Sequence, residues 1–182
     1  MARKSRQDWL DQGLRTLADQ GLGGLTIEAL AAALGLTKGS FYHHFQNMEA
    51  FEGELLAHWS DQYLSTADRL PPDPLDRLAL LDTIIAETFG PITEPELPIR
   101  MWAAQDPRAR PYVEAVDEHR RRIVLELIRG AVRAADDPEL IADLLSTMAI
   151  GSMTVLPRVP PARVLALYDE LKRVYRLGGE RP

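Results

Sequence analysis

Residues Leu25–Phe45, LTIEALAAALGLTKGSFYHHF, decide the fold: two short helices, a tight turn between them, and an aromatic cluster at the end. Thr26 is placed to cap the first helix, because its hydroxyl can accept from an otherwise unsatisfied first-turn N–H. Ile27, Leu30, Ala31 and Leu34 then recur at i, i+3, i+4 and i+7, one apolar stripe of a 3.6-residue helix. Gly35 follows where positive φ costs least, and Leu36 is set to plug the corner. Thr37 is placed to cap the next helix, in which Gly39 and Ser40 are small enough for close approach to a surface. Phe41 and Phe45 read as inward anchors, leaving Thr37, Lys38, Ser40, Tyr42 and His43 to a partner. The spacing fits a helix-turn-helix, whose second helix enters the DNA major groove.

Working outward, a first helix is expected from about Ser5 to Asp19, with Trp9, Leu10, Gly13, Leu14 and Leu17 on its buried side, ended by Gly21, Gly23 and Gly24. It opens on the basic residues Arg3, Lys4 and Arg6. Arg3, Lys4, Thr26 and Tyr42 are candidate phosphate contacts, which orient a protein on DNA without specifying sequence. Thr37, Lys38, Ser40 and His43 are candidates for base-edge readout, Lys38 by donating to guanine O6 or N7. The alternative for Lys38 and Ser40 is solvent-exposed surface with contacts to the DNA backbone. His43 and His44 adjoin but point in different directions on a helix and lack a third ligand at a convincing spacing, so no metal is expected.

The run resembles the DNA-binding region of the TetR/AcrR family of bacterial transcriptional regulators, which commonly reads T-x-x-x-[IL]-A-x-x-x-G-[VL]-[ST]-x-x-x-[LFIV]-Y-x-[HY]-F. Thr26, Leu30, Ala31, Gly35, Leu36, Thr37, Phe41, Tyr42, His44 and Phe45 fill those positions. The match is close over the first quarter of the chain; the remainder agrees in length and all-helical character. The resemblance implies an all-α fold, with an N-terminal three-helix helix-turn-helix head at residues 1–48 and a C-terminal helical ligand-binding and dimerisation body at residues 49–182. It implies a homodimer on a near-palindromic double-stranded DNA operator, repressing transcription until an unidentified small-molecule effector releases it. One position departs: the family's lysine at the start of the fourth helix, a phosphate contact, is Met48 here. Its loss is expected to weaken binding and flatten its salt dependence without abolishing recognition.

Composition sets bounds on these readings. The 182 residues are 46% hydrophobic and 26% charged, ordinary for a soluble globular protein of one domain or a small head on a larger core. With no cysteine, disulfides, thiolate zinc sites and cysteine nucleophiles are excluded. The N-terminus lacks the apolar core of a signal peptide, and no stretch approaches the roughly 20 apolar residues of a membrane span. A cytoplasmic protein without a membrane partner is expected. The net charge of −6 divides unevenly: residues 1–48 carry five Lys/Arg against four Asp/Glu, and the rest carries 16 against 23. A near-neutral head on an acidic body suits a protein that meets DNA through one face and relies on dimerisation.

Beyond the head, a fourth helix is expected from a cap at Asn47 to about Asp68, with Gly53 inside it serving either bending or packing. Pro71, Pro72 and Pro74 break the chain. Helices follow over about Leu75–Phe89, Leu97–Ala104 and Tyr112–Ala135, the last delayed or kinked by Pro111. Another starts at Asp137-Pro138, and a final one ends near Leu177. This makes about nine helices and no strand. In the family such helices surround a ligand pocket, and Trp59, Tyr63, Trp102 and His119 are candidate lining residues, although aromatic side chains fill ordinary cores equally well. Gly151 and Ser152 permit close helix approach, and with Val155, Val164, Tyr168, Leu171 and Tyr175 they are candidates for a dimeric four-helix bundle. A purely intramolecular core would use the same stripes. Arg120-Arg121-Arg122 spreads around a helix and reads as a solvated face or interdomain salt bridges rather than a second DNA site.

Enzymatic readings find no support: there is no GxSxG elbow, Walker A loop, HExxH or GxGxxG. The pairs Glu94/Glu96 and Asp136/Asp137 sit beside prolines, where helix capping and solubility explain them. No cofactor is expected. Two other classes stay open, a DNA-binding protein without small-molecule control (architectural or governed by a protein partner) and an all-α enzyme retaining a relic head.

Overall fold

A computed structural model of the chain describes residues 4–64, 71–88, 95–129, 136–155, 157 and 159–177. Arg3, and the expected helix ends at Asp68, Phe89 and Ala135, lie outside the described residues. Among the described residues there are nine α-helices, one 3-10 turn and no strand. In order they are α1 (Arg6–Gln20), the 3-10 turn Leu22–Gly24, α2 (Ile27–Leu34), α3 (Lys38–Tyr42), α4 (Met48–Leu64), α5 (Pro74–Thr88), α6 (Glu96–Gln105), α7 (Arg110–Ile128), α8 (Pro138–Thr154) and α9 (Pro161–Tyr175).

The helix starts follow from local chemistry. Ser5 caps α1 in a reciprocal box: its hydroxyl accepts from the Asp8 N–H, and the Asp8 carboxylate accepts from the Ser5 N–H at 2.7 Å. The Ser5 N–H, and its hydroxyl donating at 2.9 Å, hold the Asp8 carboxyl below its ordinary value. Asn47 Oδ1 accepts from the Ala50 N–H at 2.8 Å, and Asp137 accepts from Glu139 and Leu140 with Pro138 at the first helical position. Pro111 neither delays nor interrupts α7, contrary to the sequence expectation. The helix begins at Arg110 and places Pro111 in its first turn, where a missing N–H costs no intrahelical bond.

The chain packs as two units, residues Met1–Ser65 with Thr93–Val116, and Thr66–Ile92 with Asp117–Pro182. The first is built around Trp9, Leu17, Leu30, Phe41, Phe51 and Ile99, all fully buried. Here α1 and α4 approach closely at Gly13, and a polar seam continues their contact: Arg6 pairs with Glu54, while His58 lies 2.8 Å from Asp11 and is flanked by Gln7 and Gln62. Glu96 corrects the sequence reading. It is buried, not solvated, and its carboxylate accepts from Arg100 one turn along α6 at 2.9 Å. A carboxylate out of water requires such a partner. Arg108, in the turn between α6 and α7, is shared by Asp106, Glu49 and Glu52, which ties that turn to the first turns of α4. Its guanidinium holds the Asp106 carboxyl well below the usual carboxylate range.

The second unit is built around Leu81, Leu127, Ile128, Ile141, Leu145 and Val164. Its polar clasp joins α5 to α9: the Tyr168 hydroxyl donates to Asp82 at 2.7 Å, and Lys172 donates to both Asp82 oxygens. Arg121 forms ion pairs with Asp143 and Glu139, both within its own unit, so these are not the interdomain salt bridges that the arginine triplet suggested. Among the described residues no helix is long and apolar enough to cross a membrane.

Candidate nucleic-acid interface

The turn between α2 and α3 is closed entirely by local bonds. Thr26 Oγ1 accepts from the Ala29 N–H at 3.2 Å, which starts α2. At its other end Gly35 takes φ 66° and ψ 34°, the left-handed conformation that a side chain makes costly. The Gly35 N–H then donates to the Ala32 carbonyl at 3.1 Å and the Leu36 N–H to the Ala31 carbonyl at 2.8 Å. This paired closure is the Schellman arrangement, and it turns Leu36 onto the apolar core. Thr37 occupies the cap position of α3 without a side-chain capping bond. Its hydroxyl instead lies 3.4 Å from the Ser40 hydroxyl.

Aromatic packing then fixes the short α3. Phe41 is fully buried and meets Trp9 of α1 edge-on at 5.5 Å and Phe51 of α4 at 5.5 Å, with Phe45 at 5.2 Å. Edge-to-face and tilted contacts of this kind add to plain burial. Arg6 lies 4.8 Å over the Phe45 ring. A five-residue helix has little stability of its own. Anchored through Phe41 to two longer helices, it is held rigidly.

The anchoring determines what faces outward. Tyr42 is 57% exposed, and Thr26, Thr37, Lys38, Gly39 and His43 are exposed as well, with Ser40 half-buried. Lys4 is also exposed and pairs with Asp8 at 3.7 Å. His44 is half-buried beside Phe45. One residue that sequence reasoning passed over belongs to this surface. Glu28, in the first turn of α2, forms an ion pair with Lys38 in the first turn of α3. The signal was present as opposite charges ten residues apart, but only the closed turn brings two helix starts side by side.

The model of the bacterial regulatory proteins of the tetR family matches residues 10–54, the stretch that contains α2, the turn and α3. The chain carries the DNA-binding region of the tetR family. Among its relatives, the transcriptional repressor DhaR of Mycobacterium sp. strain GP1 is 31% identical over 88 residues, which span 46% of this chain and 44% of DhaR. The repressor KstR2 of Rhodococcus jostii is 29% identical over 87 residues, spanning 48% of this chain and 43% of KstR2. The matched stretch is thus under half the length of either relative. A regulator-like protein from Saccharomonospora viridis, solved in complex with choline, superposes with a TM-score of 0.72 over 92% of this chain and 95% of its own, at 18% identity. That likeness is one of fold alone, and it covers the body of the chain as well as its head.

The remaining candidates of the TetR-family reading fall as follows. Trp59 and Trp102 are buried and Tyr63 half-buried in the first unit's core; Trp59 meets Tyr63 edge-on at 5.4 Å, and Trp102 Nε1 donates to Asp106 at 3.2 Å. Trp59 Nε1 is buried without a hydrogen-bond partner among the described residues. His119 is half-buried in the second unit, its Nδ1 2.9 Å from Arg122. On α8 and α9, Val164 and Tyr168 are buried in their own unit, Leu171 and Tyr175 pack against that core, and Ser152 donates to the Ala149 carbonyl. Gly151 has open space beside it, and Val155 is exposed.

Proposed function

We propose that this protein is a homodimeric transcriptional repressor, with residues 1–48 as the reading head and residues 49–182 as the body that dimerises and responds to a small molecule. The observation that carries the reading is the division of one five-residue helix into a fully buried anchor, Phe41, and an exposed face of Lys38 and Tyr42, continued by His43 at its C-cap. A helix held this firmly and presenting this chemistry is suited to the major groove, with Tyr42, Thr26, Arg3 and Lys4 on phosphates and Thr37, Lys38, Ser40 and His43 toward base edges.

Dimerisation is supported by exposed apolar side chains on the last two helices. Leu140 and Leu144 line α8 beyond its buried stripe, with Val155 at its C-cap, and Leu167 and Val174 do the same on α9. These join Gly151 in an unpartnered two-helix face, with Val164 and Tyr168 supporting it from behind. Two such faces related by a two-fold axis make a four-helix bundle and present two heads to the half-sites of an operator.

Effector control is supported by the family and by the choline complex of a protein sharing the fold. Trp59 and Tyr63 lie on α4, the helix that also supplies Phe51 to the anchor of α3. An effector bound against α4 and preferring one of its placements would shift the head's population by that difference in affinity. The test is selection from random duplex DNA at physiological salt. An enriched inverted repeat is the expected result, and folded, dimeric protein that enriches nothing would exclude sequence-specific repression.

A further inference from the structure

The ion pair between Glu28 and Lys38 places a carboxylate on the very surface that is proposed to meet a polyanion. Both side chains are largely exposed, at 61% and 60%. Exposed pairs add little to stability, so stability is a weak reason for this one. Glu28 does sit in the first turn of α2, where a carboxylate suits the helix dipole. That explains its presence but not its reach across the turn to the start of α3.

The consequence for Lys38 is chemical. A lysine on a flexible four-carbon stem beside DNA is drawn first to the phosphates, the dominant and sequence-independent attraction. A lysine on a phosphate carries no sequence information. An ammonium has three donors, and Glu28 takes one, leaving two for an acceptor pair such as guanine O6 and N7. The same carboxylate repels phosphate oxygens that approach the ammonium. It therefore disfavours the backbone-bound placement of Lys38 more than the base-bound one. Resting on the DNA-binding reading above, we propose that Glu28 is a positioning residue for sequence recognition, which holds the Lys38 ammonium for base readout and keeps it off the phosphate backbone.

The test uses the whole chain as four proteins: wild type, Glu28→Gln, Lys38→Met and the double variant. Each is taken through selection from random duplex DNA, followed by affinity measurements on the selected site and its single-base variants across a salt series. Glu28→Gln is expected to bind all DNA more tightly, to steepen the salt dependence by about one phosphate per head, and to lose about tenfold discrimination at one position of each half-site. In the Lys38→Met background, Glu28→Gln is expected to leave base preference unchanged, because the lysine through which it acts is gone. Glu28→Gln that tightens binding but keeps every base preference overturns the proposal, reducing Glu28 to a distant charge. So does a change of preference that persists without Lys38, since Glu28 would then touch the DNA itself. Wild type that selects no sequence removes the DNA-binding reading and this inference together, whereas the other two failures leave that reading standing.

Discussion

Gly13 of α1 lies so close to Phe51 of α4 that a Cβ built on it falls 2.8 Å from the phenylalanine ring, and equally close to Leu55. Both neighbours are fully buried, so neither has room to retreat. Gly13→Ala gains about 1 kcal/mol of helix propensity and loses about 1–3 kcal/mol to overpacking. The overpacking wins. A net destabilisation of about 1 kcal/mol is expected in denaturant titration. Unchanged stability would show that α1 and α4 can separate without cost.

The same substitution in α4 has the opposite sign. A Cβ at Gly53 meets nothing within 4 Å, which removes packing as the reason for a glycine there and leaves flexibility. Gly53→Ala is expected to stabilise the protein by about 0.5–1 kcal/mol. If α4 bends when an effector binds, the variant also shows a weaker effector response at unchanged operator affinity. A destabilised Gly53→Ala would mean that the helix is strained at this point.

Phe41 and Tyr42 are adjacent and should separate stability from recognition. Phe41→Ala removes the anchor that joins α3 to Trp9 and Phe51, at an expected cost of about 3–5 kcal/mol. Tyr42→Ala removes an exposed ring and is expected to change stability by no more than about 0.5 kcal/mol. It should lower DNA affinity about fivefold to tenfold on every sequence, the worth of one hydrogen bond. Calorimetry beside fluorescence anisotropy on specific and random duplexes distinguishes the two. Loss confined to the specific duplex would make Tyr42 a base reader.

The Tyr168 hydroxyl is buried against the Asp82 carboxylate, and desolvation together with that hydrogen bond raises its pKa above the ordinary value of 10.0. A group with a raised folded-state pKa contributes stability that is fully present below its unfolded pKa and is lost as pH rises beyond it. The contribution is therefore intact at neutral pH and declines from about pH 10 upward. Tyr168→Phe is expected to cost about 1 kcal/mol at pH 7, because Asp82 keeps Lys172 as a partner. Above pH 10 the gap between variant and wild type should narrow. A gap that stays constant through alkaline denaturation would show that the phenol is not the titrating group.

What could be read from sequence was whatever local chemistry controls. Ser5, Thr26, Asn47 and Asp137 announce helix starts because a cap acts on its own first turn, and Gly35 announces a turn because only the left-handed region closes it. The same locality made the head legible as a unit, down to the inward Phe41 and outward Tyr42. What could not be read depends on partners remote in the chain. Glu96 looks like a solvated acid beside a proline until Arg100 and the first unit's core enclose it. Pro111 reads as a breaker unless the first turn is known to start one residue earlier. On α9, Val164 and Tyr168 alternate with Leu167 and Val174, two apolar faces with the same period. Periodicity gives no ranking between them; the core takes the first and leaves the second exposed.

That second face yields the most direct test of the assembly. Gly151 lies on α8 between the exposed Leu144 and Val155 in sequence, and a Cβ there meets nothing within 4 Å in the single chain. Gly151→Leu is therefore expected to keep the protomer folded, with helix content and thermal midpoint at least equal to wild type, since leucine is the better helix former. In a two-fold bundle the added side chain is introduced twice at one interface, and overpacking of about 1–3 kcal/mol at each site weakens the dimer by roughly a hundredfold or more. Sedimentation across a concentration series reads the dimer constant directly. Operator affinity should fall with it, because one head alone contacts too few phosphates to hold DNA at physiological salt. If Gly151→Leu dimerises as wild type does, the partner covers another part of the α8 and α9 surface, and the exposed Leu140, Leu167 and Val174 become the positions to substitute next.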